Sequence, residues 1–566
     1  MIARRGKPLP LLFLLLAAAV GAGLRLWQIA SQVVIDDEWH AVRQLIESTP
    51  SRIVVSFGFA DHSIPLTLCY WLEAATIGLS ELGMRWPMLA CGIATVVLLP
   101  LGVLGAASAP AVIAPTTAPS WLERRATLAV LFACLLAISP VLVIYSRVAR
   151  PYAITLLLVF VAHHAFARFV AAGDRQRRRR FGALYAVAAV LGTWLHLIAG
   201  PLVVAPFVHW LLGLSPSQRT GPQQRWARRR GVIVLGALTA AGLLAVLLPP
   251  FVAGAGALAA KARSGHLSAD TVLGAWHWWL GTGSTGVALA LTLLAVVGLP
   301  PIVREFEVAR SLCVGLVLTL ALLVATRPAW IQNPLTFGRY LLPAIPLLLF
   351  AIAAGTLRVA SWIATRATGA GRPLAWAMVG LPVAALAAQS PLQPLYATPN
   401  SYTTDPWFYF DFRPGRDAYG KAFDALVPIS PFWATLRDAP AGSMRIAFAP
   451  FRFESTSWDA PRLEARTGQR IVPGILNRMC LDREELPQSP RFRFRNVVYL
   501  GDDDAIARQR VDLIVLQKPI AYVFEGKPGI AGEDMTECAA ALAARLGAPR
   551  YDDAFVTVFA PRNTGR

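Results

Sequence analysis

The first long apolar segment of the chain, residues 9–30, has the sequence LPLLFLLLAAAVGAGLRLWQIA, and DDEWH follows it at residues 36–40. About twenty consecutive apolar residues match the thickness of a lipid bilayer. Carboxylates are ionised at neutral pH and are costly to place in lipid. The two segments therefore predict a membrane-spanning helix followed by an acidic cluster at the membrane surface. A cleaved secretory signal is the alternative interpretation of the N-terminus, and it also leaves residue 36 outside.

The composition of the 566-residue chain extends this prediction to most of its length. Hydrophobic residues make up 55% of the chain and charged residues only 15%, which is typical of a polytopic membrane protein. The net charge of +20 comes from arginines in short clusters between apolar runs. This is the distribution of topology determinants, so we expect a lipid bilayer and no nucleic acid among the partners.

Hydropathy predicts eleven crossings, at residues 9–30, 86–106, 126–145, 152–170, 182–199, 200–214, 232–250, 286–303, 311–326, 340–357 and 374–391. With a cytoplasmic N-terminus, the arginine clusters fall on the cytoplasmic side. Residues 63–80 are also apolar, but a crossing there would invert every later loop, so we expect a helix along the outer interface. The run 182–214 is interrupted by His196, Gly200 and Pro201, which predicts two short or broken helices.

The composition changes after residue 391, and this predicts two domains. Residues 1–391 form an all-α transmembrane domain with a first outer loop at about 31–85. Residues 392–566 contain alternating segments such as 445–448 and 511–516, which predict the strands of a small soluble α/β domain. An odd number of crossings places this domain on the periplasmic side of the inner membrane. An oxidising compartment permits a disulfide between its two cysteines, Cys480 and Cys538.

Many side chains with catalytic chemistry map to this outer face. A carboxylate can act as a general base, and a guanidinium fork matches phosphate oxygens. Less specific roles remain open, namely a helix cap for Asp36, interfacial snorkelling for Arg147 and Arg150, or a packed His196. The first outer loop and later outer segments contribute Asp36, Asp37, Glu38, His40, Asp61, His62, Arg85, Arg147, Arg150 and Arg339.

The order of these groups resembles the polyprenyl-phosphate-sugar-dependent glycosyltransferases of the C superfamily, in the branch of protein O-mannosyltransferases and aminoarabinose transferases. The resemblance covers roughly residues 1–390. A His-Pro-Pro-Leu element of the family is matched imperfectly, because its first proline is replaced. The matching segments are Asp37-Glu38, His62-Ser63-Ile64-Pro65-Leu66, Arg85-Trp86-Pro87, Ser146-Arg147-Val148-Ala149-Arg150-Pro151-Tyr152, His196 and Arg339-Tyr340-Leu341-Leu342-Pro343.

The resemblance implies transfer of a sugar from a polyprenyl-phosphate donor to an extracytoplasmic acceptor, with inversion at the anomeric carbon. Asp37 would be the general base, with Glu38 supporting it. The donor phosphate would be bound by Arg85, Arg147, Arg150, Tyr152, Arg339 and Tyr340, and His40, His62 and His196 would support the site. No cofactor is expected, although His40 and His62 could hold a divalent metal together with carboxylates. The sugar and the acceptor, whether lipid, glycan or protein, stay open.

Two other classes of protein are alternatives. A transporter or flippase of a lipid-linked saccharide would also need many spans and arginines facing phosphate. Transporters commonly show internal repeats and polar groups near the midplane, whereas this sequence shows no repeat and gathers its polar groups on one face. A scaffold that only displays the C-terminal domain would leave this one-sided cluster unexplained.

Overall fold

A computed structural model describes residues 9–58, 62–105, 125–213, 222–366, 371–389, 392, 427–451, 460, 463–464, 466–524 and 527–561. The predicted domain boundary at residue 391 and the predicted site residue Asp61 lie outside these residues. The side chain of Asp36 is also outside the description.

The described part of the first domain consists of helices and the segments that connect them, as predicted. Its helices are α1 Leu9–Leu26, α2 Asp36–Glu47, α3 Pro50–Val54, α4 Ile64–Thr76, α5 Glu81–Gly105, α6 Arg125–Ile138, α7 Pro140–Arg147, α8 Tyr152–Ala171, α9 Arg175–Leu195, α10 Ala199–Leu211, α11 Pro222–Lys261, α12 Ala269–Leu280, α13 Thr285–Glu305, α14 Glu307–Thr326, α15 Pro334–Tyr340, α16 Ile345–Arg366 and α17 Gly371–Gln389.

Each of the eleven predicted spans coincides with one of these helices or, at 126–145, with the pair α6 and α7. Seven described helices are long and apolar enough to cross a bilayer, or eight if α6 and α7 form one span. The other three predicted spans are α9, which begins with an arginine-rich segment, and the shorter apolar helices α10 and α17. The chain is therefore a multi-pass membrane protein.

The breaks between helices have local causes. Pro140 begins α7, and a proline disfavours helical backbone in the residue before it. Ser139 is accordingly extended, and the helices on either side of it meet at 55°. His196 is also extended and ends α9, which confirms the predicted break in the run 182–214.

Helix α4 has 13 residues and a length of about 20 Å, less than the roughly 30 Å of the hydrocarbon core.

The elements of the second domain are β1 Arg445–Ala449, β2 Arg470–Ile475, β3 Val498–Tyr499, β4 Leu513–Gln517, β5 Ile520–Phe524, β6 Lys527–Ala531, β7 Tyr551–Asp552, β8 Val556–Phe559, α18 Phe432–Thr435, α19 Asp503–Arg508 and α20 Thr536–Leu546. They form a sheet in the order β3-β2-β1-β4-β8-β7 and a separate hairpin of β5 and β6. Strands β3, β2, β1 and β4 are parallel, and β8 and β7 are antiparallel. The predicted strands 445–448 and 511–516 correspond to β1 and β4.

The predicted disulfide between Cys480 and Cys538 is confirmed. It joins the segment after β2 to helix α20. Elsewhere in the described chain, Cys69, Cys91, Cys134 and Cys313 are half-buried thiols in the helical domain.

The two domains are joined by backbone and side-chain hydrogen bonds at the first outer loop. Leu79 N donates to Arg491 O at 2.8 Å, and Arg493 N donates to Leu79 O at 2.7 Å. Oε1 of Glu81 accepts hydrogen bonds from the backbone N–H groups of Arg495 and Asn496, at 2.8 and 2.7 Å. The C-terminal domain therefore rests on the end of the bundle that carries α2.

Candidate active site

The acidic motif forms the first turn of α2. Ile35 is the N-cap residue, with an extended backbone at φ −112° and ψ 157°. Asp36 is therefore the first residue of the helix and not its cap. Carboxylates are favourable in this position because the N-terminus of a helix carries a partial positive charge. The helix begins here and directs Asp37 and Glu38 to different surroundings.

Asp37 is the centre of a cluster of charged side chains. Its Oδ2 accepts a hydrogen bond from Nη1 of Arg339 at 2.5 Å and lies 3.7 Å from Nε of Arg150. His40, one turn along α2, places Nε2 4.0 Å from Oδ1. Arg150 also donates from Nη1 to the backbone carbonyl of Asp37 at 3.2 Å. The cluster thus joins α2, the turn between α7 and α8, and α15.

The side chains of this cluster are partly accessible to solvent. The exposed fraction is 11% for Asp37, 14% for Arg150, 16% for Arg339 and 23% for His40. Burial by itself would raise the pKa of the Asp37 carboxyl, but the guanidinium groups of Arg150 and Arg339 and the His40 ring lower it below its usual value. Asp37 is therefore an anion held between two cations.

Aromatic rings surround Arg339. Its Cζ lies 5.9 Å from the ring centroid of Tyr152, within the range of a cation–π contact. The rings of Tyr152 and His196 have centroids 5.0 Å apart, and those of His196 and Tyr340 lie 6.1 Å apart. Tyr145 packs edge-on against Tyr152 at 4.8 Å. The structure thus brings Tyr152, His196 and Tyr340, all named from the sequence, to one side of the Asp37 cluster.

Glu38 and Arg85 have different surroundings from those expected. Both side chains are fully buried, and Arg85 donates to the two oxygens of Glu38, from Nε at 2.9 Å and from Nη2 at 2.6 Å. Glu38 also accepts the N–H of Ala149 at 2.7 Å, and Arg85 donates to the carbonyls of Gln32 and Val33. The pair fastens α2 to α5 and to the turn that carries Arg150, and it presents no surface to a donor phosphate.

Arg147 is also buried, with 1% of its surface exposed. Its Nη1 donates to the carbonyls of Leu24, Arg25 and Trp27, at 3.1, 3.1 and 2.6 Å. The last carbonyls of a helix have no partner within the helix. Arg147 therefore closes the end of α1, in contrast to the phosphate-binding role expected for it.

Of the remaining predicted residues, His62 lies in the turn before α4, packed against Gly58.

The sequence did not indicate the contacts of Trp39. This side chain is fully buried, and its ring packs edge-on against Phe451 and Phe494 of the C-terminal domain, at centroid distances of 4.9 and 5.4 Å. Its Nε1 donates to Val34 O at 2.9 Å. The presence of a large aromatic residue inside an acidic motif was the only sequence feature that pointed to a special role for Trp39. No local sequence pattern predicts its contact with phenylalanines of another domain.

Within the part of the chain that the structure describes, no group of three or more His, Cys, Asp or Glu side chains lies close enough to hold a metal ion.

The structure is similar to crystal structures of ArnT from Cupriavidus metallidurans. The apo form is 12% identical, with 97% of each chain covered and a TM-score of 0.46. The form bound to undecaprenyl phosphate is 13% identical, with 97% of this chain and 98% of that chain covered and a TM-score of 0.42. No protein-family model and no curated protein match the chain.

Proposed function

We propose that the protein is an integral membrane glycosyltransferase that moves a sugar from a polyprenyl-phosphate donor to an acceptor at the periplasmic face of the inner membrane. The observation that carries the proposal is the Asp37 carboxylate, held between the guanidinium groups of Arg339 in α15 and Arg150 in the turn between α7 and α8. The order of the matching sequence motifs supports the same function.

Charge favours an anionic ligand at this cluster. Two guanidinium groups and one carboxylate leave one positive charge when His40 is neutral. The phosphodiester of a lipid-linked sugar would neutralise that charge, and arginine forms strong, directional hydrogen bonds to phosphate oxygens. We assign donor binding to Arg150 and Arg339, which are partly exposed, and a structural role to the buried Arg85 and Arg147.

Binding of the donor would also activate Asp37. In the free protein the two arginines lower the pKa of Asp37, which makes it a weak base. A phosphate that draws Arg150 and Arg339 towards itself weakens their interaction with the carboxylate. The pKa of Asp37 then rises towards its ordinary value, and its ability to accept a proton increases.

The reaction is a single displacement. The acceptor hydroxyl attacks the anomeric carbon as Asp37 takes its proton, and the bond between that carbon and the phosphate oxygen breaks. The electron pair of this bond leaves with the polyprenyl phosphate, whose growing negative charge Arg150 and Arg339 stabilise. Attack from the face opposite the leaving group inverts the anomeric centre. The ring of Tyr152 beside Arg339 restrains the guanidinium during this step.

The test is an incubation of the purified full-length protein with a panel of polyprenyl-phosphate sugars and candidate lipid, glycan and protein acceptors. We expect release of free polyprenyl phosphate and a glycosylated product with at least one pair. A flippase would instead move the intact donor across vesicle membranes without cleaving it. Translocation with no cleavage in any combination would overturn the proposal.

A further inference from the structure

A cavity of about 760 Å³ lies among α5, α8, α13, α14 and α16. This volume falls within the range of about 300–1,000 Å³ that is usual for small-molecule sites. None of the residues of the Asp37 cluster lines it. The cavity is therefore separate from the candidate active site.

Helix α8 runs from the candidate active site to the cavity, so its length gives the distance between them. Its first residue, Tyr152, belongs to the aromatic group around Arg339, and Arg168 near its other end lines the cavity. Sixteen residues of α-helix span about 24 Å. The polar part of the cavity is thus at the end of the bundle opposite Asp37.

The lining of the cavity is divided into an apolar and a charged part. The apolar part consists of side chains of α5, α8 and α16, including Leu99, Leu157, Phe160, Val161 and Phe350. The charged part consists of Arg168, Arg304, Glu305, Glu307 and Arg310. These residues lie at the last turns of α8 and α13 and the first turn of α14, where spanning helices reach the membrane surface.

The charged part of the lining has an excess of positive charge. Glu305 forms an ion pair with Arg125 at 2.8 Å. The other charged residues of the lining are three arginines and Glu307, so positive charges outnumber negative ones. Arg310 donates from Nη1 to the carbonyls of Val303 and Arg304, at 3.0 and 2.8 Å. Its Nε is buried and makes no hydrogen bond to the described residues. The charged part is therefore suited to an anionic group.

We propose that this cavity binds a glycerophospholipid with an anionic headgroup, taken from the leaflet opposite the active site. Its phosphate would lie among Arg168, Arg304 and Arg310, and one acyl chain would fill the apolar part between α5, α8 and α16. Burial of the acyl chain among apolar side chains favours binding. The guanidinium groups favour a headgroup with a net negative charge. This site does not depend on the proposed glycosyltransferase activity.

The test uses the full-length protein, delipidated in detergent and titrated with phosphatidylglycerol, with phosphatidylcholine of the same acyl chains for comparison. Bound lipid is counted by native mass spectrometry. Gly102 lines the cavity, and the only atom of the described residues outside α5 within 4 Å of a Cβ at this position is Nδ1 of His164, at 3.9 Å. Gly102→Phe therefore places a ring in the cavity. Gly380→Phe is the matched control, since nothing lies within 4 Å of its Cβ. Arg304→Gln removes one headgroup contact, and Arg358→Gln is its control on an exposed part of α16.

We expect one phosphatidylglycerol per protein, a loss of about tenfold or more in affinity in Gly102→Phe and of about tenfold in Arg304→Gln, and no change in either control. Equal binding of the two lipids, or full binding in Gly102→Phe, would overturn the proposal. So would displacement of phosphatidylglycerol by polyprenyl phosphate, since the cavity would then belong to the donor chain. If Gly102→Phe does not fold, Arg304→Gln decides by itself, because Arg304 is exposed.

Discussion

Nη1 of Arg339 lies 2.5 Å from Oδ2 of Asp37, although 302 positions separate the two residues in the chain. Arg150, from a third segment, lies 3.7 Å from the same oxygen. Packing of the helical bundle brings the three side chains together, so the candidate site exists only in the folded bundle. Substitutions of these three residues test their roles in catalysis and donor binding. Substitutions of the buried residues around them test how the fold holds the three in position.

Asp37→Asn should lower kcat by a factor of about 10²–10⁴, because the amide cannot accept the proton of the acceptor. The measurement is the rate of polyprenyl phosphate release at saturating donor. Glu47→Gln is the matched control, since it makes the same change on the same helix at an exposed ion pair with Arg43. Unchanged turnover in a folded Asp37→Asn protein would remove Asp37 from the mechanism.

Arg339→Gln should raise the KM for the donor by about tenfold or more, because hydrogen bonds between charged groups contribute about 1.5–3 kcal/mol each. Titration of the donor against initial rate measures this effect. Arg327→Gln, at an exposed arginine after α14, should leave KM unchanged. A similar rise in both variants would point to general attraction of the anionic donor and not to a specific contact.

The pH dependence of kcat/KM should change with Arg339. Burial raises the pKa of Asp37, and Arg150, Arg339 and His40 together lower it. In the wild type the carboxylate stays ionised, so we expect no loss of rate from Asp37 above about pH 5. Without Arg339 the pKa of Asp37 rises, more of it is protonated in acid, and the rate should fall as the pH decreases. An acid limb at the same pH in both proteins would contradict this assignment.

Glu38→Gln should destabilise the fold by about 3–5 kcal/mol, because it leaves the charge of Arg85 buried without its partner. The double variant Glu38→Gln with Arg85→Met should be less destabilised than the sum of the two single variants. Thermal unfolding in detergent measures all three. If Arg85→Met instead raises the donor KM and leaves the unfolding midpoint unchanged, Arg85 belongs with the phosphate-binding residues.

Trp39→Ala should lower both the unfolding midpoint and kcat. Removal of a buried tryptophan costs about 3–5 kcal/mol, and this one connects the helix of Asp37 to Phe451 and Phe494. A double-mutant cycle with Phe451→Ala should show a coupling of about 0.5–3 kcal/mol.

Trp362→Ala is the control for this cycle, because that ring is 52% exposed on α16. Strict additivity of Trp39→Ala and Phe451→Ala would show that the C-terminal domain does not hold α2 in place.

The sequence by itself was sufficient for helices at the predicted spans, the strands β1 and β4 and the break at His196. These features depend on local hydrophobicity and on the backbone preferences of neighbouring residues, which a single segment contains. The motifs also indicated Asp37, Arg150, Tyr152 and Arg339, and the structure places these four together.

Only the tertiary structure decided which charged residues face solvent and which are enclosed. Glu38 follows Asp37 directly, yet it is fully buried against Arg85, and Arg147 is enclosed at the end of α1 while Arg150 stays partly exposed. The exposure and the partners of a charge depend on the packing of segments far apart in the chain. A sequence motif specifies the type of side chain and its order, whereas the packing of α1, α5 and the C-terminal domain around α2 determines its role.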